Sequence, residues 1–226
     1  MFVKHIPAGV SLVEAAALPS TICFTYYCLA VLRQATRGKK VLIHAASRGF
    51  GLIALQYAKY CGCDVFAAAE TQEKLETCGK LGADVCINYS KEDFSKRVKD
   101  ETAGKGVDII LDVKGPYYFA KNVNCLARRG TLITLGFESG NAGDLDCSIS
   151  KSISEKKLRH LGANIFTLPP REVGTIFSQV EELVWPLFKD GTIKPTVSRV
   201  FCFSQAAEAH KAMESDIVAG NVVLVP

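Results

Sequence analysis

From Lys40 onward the chain alternates short, nearly unbroken apolar runs with longer stretches of helical periodicity. That alternation limits the folds open to it more than any other feature. The apolar runs are Lys40–His44, Asp64–Ala68, Val85–Asn88, Val107–Leu111, Gly130–Gly136 and Arg159–Phe166. Between them Phe50–Tyr60, Thr71–Leu81, Lys91–Glu101 and Tyr117–Ala127 read as helices, and 144–157 is less regular. A strand apolar on both faces is buried on both faces, so the pattern predicts a mainly parallel sheet covered by helices on each side. Right-handed crossovers make it a doubly wound α/β sheet, with ligands outside the carboxyl ends of the strands.

The flanks read differently. Ser11-Leu12-Val13-Glu14 is a capping box, and Pro19 stops the short helix behind it. Thr21–Gln34 reads as a largely buried helix, and Glu172–Lys189 as a long one ended by Asp190-Gly191. The tail reads as a strand (Val197–Phe203), a helix opened by Ser204 (Gln205–Glu214) and a strand (Asn221–Val225) that need not join the main sheet. The 226 residues suffice for one large domain, or for one domain and a fragment of another.

Charge and cysteine content exclude several function classes. The net charge is +4 and no Lys/Arg run exceeds two residues, so neither nucleic acid nor a membrane surface is indicated as a partner. No stretch of eighteen apolar residues occurs, so no membrane-spanning helix is expected. The nine cysteines sit mostly in apolar segments, where Cys acts as a small hydrophobe. The one close pair, Cys61-Gly62-Cys63, has no second pair to complete a zinc site. The four histidines (His5, His44, His160, His210) are scattered, so no metal site and no catalytic acid or base is named. Reduced thiols point to a cytoplasmic protein, or a mitochondrial one if a targeting segment precedes the chain.

The chemistry-bearing candidate is the loop His44-Ala45-Ala46-Ser47-Arg48-Gly49-Phe50-Gly51, at the first strand-to-helix junction. A pyrophosphate needs small residues there, so that backbone N–H groups and the positive end of a helix come close. Gly51 lets the helix pack tightly on the strand. Two other readings remain open at this point: a glycine-containing turn with no ligand, and the similar loop of S-adenosylmethionine-dependent transferases.

The segment His44–Lys59 resembles the cofactor loop and helix of the quinone oxidoreductase (zeta-crystallin-like) branch of the medium-chain dehydrogenase/reductase superfamily. The resemblance continues at Ile6–Pro19, Lys80-Leu-Gly-Ala83, Ile87-Asn-Tyr89, Gly106–Asp112, Asn124-Cys-Leu126, Ala206–Met213 and Gly220–Pro226, covering essentially the whole chain in order. It implies a Rossmann cofactor domain over 21–192, preceded by a linker or remnant at 1–20. It also implies a C-terminal return (193–226) into a GroES-like β domain, most of which precedes the Ile6–Pro19 segment in that family.

The resemblance further implies a set of cofactor residues. Ala46, Ser47, Arg48, Gly49, Phe50 and Gly51 hold the pyrophosphate; Arg48 stands where the family prefers glycine. If that glycine takes a left-handed conformation, Arg48 is strained; otherwise its guanidinium reaches a phosphate or stays in solvent. Ala69 replaces the carboxylate that holds an NAD ribose, and Lys74, Tyr89 and Thr71 fall at the family's 2′-phosphate site, which favours NADPH over NADH. Glu70 dissents, being negative beside the decisive position. Thr25, Val113, Gly115, Gly136, Phe137 and Asn221 fall around the nicotinamide half; Lys114 carries no assigned role. The implied activity is zinc-independent hydride transfer from NADPH to a small quinone or enone. The alternative is an NADPH-binding chain without turnover that acts as a regulatory partner. Pairing of the strand near Arg159–Phe166 across a two-fold axis implies a homodimer.

Overall fold

A computed structural model describes residues 4–135, 147–215 and 218–226 of the chain. Six strands form one sheet: β1 (Lys40–His44), β2 (Asp64–Ala69), β3 (Val85–Asn88), β4 (Val107–Asp112), β5 (Leu126–Thr134) and β6 (Arg159–Gly162). Their order is β3-β2-β1-β4-β5-β6, and every pairing is parallel. The expectation of a doubly wound Rossmann sheet holds. The order reverses between β1 and β4, which opens a crevice at their carboxyl ends.

The strands read as continuous apolar runs because each divides its side chains between two cores. Val41, Ile43, Val65, Ala67, Ile109 and Leu111 join one buried cluster; Leu42, Phe66, Ala68 and Ile110 join the other. The first core is covered by α2 (Pro19–Tyr26), α3 (Gly49–Tyr60), α4 (Gln72–Lys80) and α8 (Pro170–Leu183), through Ile22, Leu52, Leu55, Cys78, Ile176 and Val180. The second is covered by α5 (Phe94–Glu101) and α6 (Phe119–Cys125), through Phe94, Val98 and Cys125. Each fully buried Leu, Ile or Phe contributes about 1.5–3 kcal/mol relative to exposure. Burial pushes the Cys23, Cys28, Cys78 and Cys125 thiols up to about 12, as befits cysteines packed as hydrophobes. No helix of the described residues is long and apolar enough to cross a membrane.

Several boundaries differ from the sequence reading. Pro19 opens α2 at its first turn rather than stopping α1 (Leu12–Ala16), because a missing N–H costs nothing there. The helix read as Thr21–Gln34 ends at Tyr26 and continues as a π-helical turn, Tyr27–Leu32. The segment read as Tyr117–Ala127 begins with a 3₁₀ turn at Gly115–Tyr118, and β5 starts at Leu126 rather than Gly130. Asp93 accepts from the amides of Ser95 and Lys96 and so starts α5 later than Lys91. α7 (Cys147–Lys156) precedes the strand read as Arg159–Phe166, which stops at Gly162, and Asn164 caps a 3₁₀ turn, Ile165–Thr167. The helix read as Glu172–Lys189 breaks at Val184 into α8 and α9 (Trp185–Lys189), because Pro186 has no N–H to continue the ladder.

The tail forms a separate two-stranded parallel sheet from β7 (Val197–Cys202) and β8 (Asn221–Val225), with α10 (Ala206–Glu214) between them. Hydrogen bonds at Lys194 and Gly220 tie it to the main domain. Gln56 of α3 donates to the Lys194 carbonyl at 3.0 Å and accepts from the Lys194 amide at 2.9 Å. The Gly220 amide donates to the Ser47 carbonyl at 2.8 Å, and Arg48 bridges Gly220.

Candidate cofactor site

The turn after β1 is built for close approach. Ala45 takes the left-handed conformation (φ 49°), and the Arg48 amide closes back on the Ala45 carbonyl at 3.0 Å. A methyl at Gly51 would lie 2.6 Å from the Ala46 Cα and 2.7 Å from the Ala45 carbonyl oxygen, so the first turn of α3 rests directly on the loop backbone. Arg48 is extended (φ −77°, ψ 163°), which removes the expectation of strain at that position; the strain sits at Ala45 instead. Arg48 is the N-cap of α3, and its side chain makes no cap hydrogen bond to the first turn. The Ser47 hydroxyl is fully buried and has no hydrogen-bond partner among the described residues.

Asn221 reaches this turn from the tail. A methyl at Gly49 would lie 2.1 Å from its Oδ1, so Gly49 leaves the space that Asn221 fills. The Asn221 amide and side chain both donate to the Thr196 carbonyl, at 2.9 and 3.4 Å.

At the end of β2, Ala69 is fully buried and the next residue gathers a polar cluster. Glu70 accepts from Lys74 Nζ at 3.0 Å and from the Tyr89 hydroxyl, and its carboxylate lies 3.7 Å from Lys114 Nζ. The Lys114 ammonium also stands 5.7 Å from the centre of the Tyr89 ring. Thr71 caps α4, accepting from the Lys74 amide at 3.4 Å.

Behind β4 lies a buried polar chain. Asp112 accepts from the amides of Lys114 (2.8 Å) and Gly115 (3.2 Å) and from the Asn122 side chain (3.2 Å). The Asn122 oxygen in turn accepts from His44 Nε2 at 2.8 Å. Burial holds the His44 imidazole down to about 4, so it is neutral. Burial raises the Asp112 carboxyl, and the two backbone amides pull it back down. Gly115 turns the chain with φ 71°.

An apolar cavity of about 360 Å³ opens beside the turn, lined by Phe24, Phe50, Val113, Leu135 and Phe166 with Ser20 and Thr21. A second cavity, of about 670 Å³, shares Phe24, Leu135 and Phe166 and extends along the ends of β5 and β6. Thr25 is fully buried in α2 and its hydroxyl has no partner among the described residues; it is Thr21 that bonds back along the chain, to the carbonyls of Ala17 and Leu18 just ahead of α2.

The expected residues therefore gather along the carboxyl edge of the sheet: Ala46–Gly51 after β1, Ala69–Lys74 after β2, Tyr89 after β3, Val113 and Gly115 after β4, with Asn221 arriving from the tail. Gly136 and Phe137 lie outside the described residues. Sequence reasoning missed the engagement of Lys114 with Glu70, and the His44–Asn122–Asp112 chain. It also missed Phe24 and Phe166, whose rings meet edge to face at 5.5 Å in the cavity wall. A lysine two residues past a strand and a polar residue inside a helix carry no periodic signal.

The comparisons agree with this geometry. The zinc-binding dehydrogenase family profile matches residues 49–182. A 2-haloacrylate reductase from Burkholderia is 34% identical over 209 residues, which are 88% of this chain and 59% of that protein. Quinone oxidoreductase 1 of Escherichia coli K12 is 30% identical over 229 residues, 98% of this chain and 67% of that protein. The crystal structure of Escherichia coli quinone oxidoreductase complexed with NADPH superposes with a TM-score of 0.87 at 29% identity, covering 99% of this chain and 68% of that one. The chain thus spans about 59–68% of the length of these relatives. With the fold, the turn and the matched residues in agreement, this chain belongs to the zinc-binding dehydrogenase family of the medium-chain dehydrogenase/reductase superfamily, with quinone oxidoreductases and a haloacrylate reductase among its relatives.

Proposed function

We propose that the chain is the dinucleotide-holding part of an NADPH-dependent, zinc-independent reductase that delivers hydride to a small quinone or enone. One observation carries the reading: the turn over Ala45–Gly51, packed too tightly for a methyl at Gly51, presents a helix end that the Arg48 side chain does not cap, beside the buried hydroxyl of Ser47, which has no partner among the described residues. A pyrophosphate supplies what those groups lack, acceptors for amide and hydroxyl donors and negative charge at a helix N-terminus.

In this reading Ala46, Ser47, Arg48, Gly49, Phe50 and Gly51 hold the pyrophosphate. Lys74 and Tyr89, with Thr71 and Ala69, receive the 2′-phosphorylated ribose. Thr25, Val113, Gly115, Gly136, Phe137 and Asn221 border the nicotinamide half. When bound, the nicotinamide supplies the hydride. The chain's own residues position it: Phe24, Phe50, Val113, Leu135 and Phe166 form an apolar wall that keeps water from the reacting face. Among the described residues no group of three His, Cys, Asp or Glu side chains that could hold a metal occurs. The sheet ends at β6, whose free edge is the proposed seam of a homodimer.

The test is NADPH binding by fluorescence and NADPH oxidation with a small ortho-quinone, on this chain. Binding with oxidation supports the reductase. Binding without oxidation assigns the chain to dinucleotide binding alone, and no binding overturns both.

A further inference from the structure

Glu70 is an acidic residue where an anion is expected to bind. Its two carboxylate oxygens take up Lys74 Nζ at 3.0 Å and the Tyr89 hydroxyl, with Lys114 Nζ at 3.7 Å. The Lys74 side chain is 3% exposed, that of Lys114 17% and that of Glu70 19%. Buried ammonium groups require a counter-charge, and the Glu70 carboxylate provides one. Without Glu70, two cations and a phenol converge on one point just past the end of β2. That donor set suits a compact dianion such as a phosphate monoester.

We propose that Glu70 is a built-in anionic plug of the 2′-phosphate subsite, and that it sets the dinucleotide preference by competing with the phosphate for Lys74, Tyr89 and Lys114. The proposal rests on the dinucleotide reading above. An entering 2′-phosphate must displace the carboxylate from its donors and then face its negative charge, or drive the side chain into solvent. A ribose 2′-hydroxyl meets no such penalty, because a carboxylate accepts its hydrogen. The plug therefore narrows the margin by which NADPH is preferred over NADH: the attraction of the two lysines is retained, and a repulsive element works against the phosphorylated cofactor. It also supplies a counter-charge to the buried Lys74 and the half-buried Lys114 when no nucleotide is bound.

The experiment is calorimetric titration of the chain, Glu70→Gln and Glu70→Asp with NADPH and with NADH. Glu70→Gln removes the charge at nearly constant shape and is expected to tighten NADPH by about tenfold or more, since it deletes a full like charge at contact distance from the phosphate. NADH is expected to change by less than about twofold, or to weaken, as its ribose loses an ionised acceptor. NADPH binding by Glu70→Gln also gains a steeper dependence on salt. Glu70→Asp keeps the counter-charge for Lys74, protecting the fold, and retracts it by one methylene; it is expected to shift the NADPH-to-NADH ratio less, in the same direction. An unchanged ratio in both variants, with the parent chain binding NADPH, overturns the plug and leaves the dinucleotide reading intact. Absence of binding by all three proteins overturns both.

Discussion

At the scale of single residues, His44 shows how a site is stiffened from behind. It ends β1 and is fully buried against Phe94 and Tyr118, with ring centres 4.7 and 5.4 Å away. Its ordinary value of 6.5 is held down to about 4, so it folds neutral. The unfolded chain protonates His44 near 6.5 while the folded chain resists until about 4, so the unfolded state binds more protons between those values. Stability is therefore full above about 6.5 and falls as the pH drops toward 4; between pH 7 and pH 5 the loss is about 2 kcal/mol from this residue. His160, also lowered by burial, adds in the same direction; the raised Asp112 carboxyl works in the opposite one. Denaturant unfolding at the two pH values, on the chain and on His44→Gln, checks this. The variant is expected to lose the His44 share, about 2 kcal/mol of the change between the two pH values, and equal dependence in both proteins refutes the buried neutral imidazole.

At the scale of elements, the two glycines at the head of α3 separate two kinds of crowding. A methyl at Gly51 meets the backbone of Ala45 and Ala46, which cannot move without dismantling the turn. Gly51→Ala is expected to cost about 1–3 kcal/mol or more in denaturant unfolding and to abolish dinucleotide binding. The three atoms nearest a methyl at Gly49 all belong to the Asn221 carboxamide, the end of a side chain able to swing away. Gly49→Ala is expected to cost less than Gly51→Ala, and Asn221→Gly in the same chain to restore most of the loss. If Asn221→Gly rescues both variants equally, the distinction between backbone and side-chain contact is wrong.

The same elements show what a linear pattern can carry. β1, β3 and the run of α3 are nearly as read, because each has a period or an unbroken apolar run that local sequence expresses directly. Misread ends occur at α2, α5, α6, α8, β5 and β6, and those of α2, α5, α8 and β6 share a cause. There the deciding group is a cap, a proline or an asparagine acting against a helix or strand pattern that continues past it. Arg48 is the sharpest case. Its mismatch with the family pattern raises the question of strain, and only its backbone angles, with Ala45 taking the left-handed position, answer it.

At the scale of the molecule, the sheet is open at both ends of its order, β3 and β6, and the tail forms a sheet of its own. β6 pairs with β5 on one side and is the last strand in the order. Phe166, just beyond it, is 80% exposed, and Val200, Phe203 and Leu224 of the tail are also exposed. An open edge beside the exposed Phe166 favours pairing with a second copy. Sedimentation equilibrium is expected to give twice the chain mass at micromolar concentration, and Leu161→Asp, on the edge strand, to return it to the monomer. A monomer at every concentration refutes the edge-paired dimer, and a dimer untouched by Leu161→Asp moves the seam elsewhere.

The sequence by itself determined the doubly wound parallel sheet and the location of the turn that opens α3. Strand–helix alternation and small residues at a junction are local properties, readable one segment at a time. It did not determine how charges meet across segments. That Glu70 gathers Lys74, Tyr89 and Lys114, that Asn221 fills the space left by Gly49, and that His44 leans on Asp112 through Asn122 were decided by the tertiary structure. The physical reason is that a parallel sheet brings the carboxyl ends of strands far apart in sequence to one edge. There a side chain's partners are chosen by distance and charge in space, which no periodicity records.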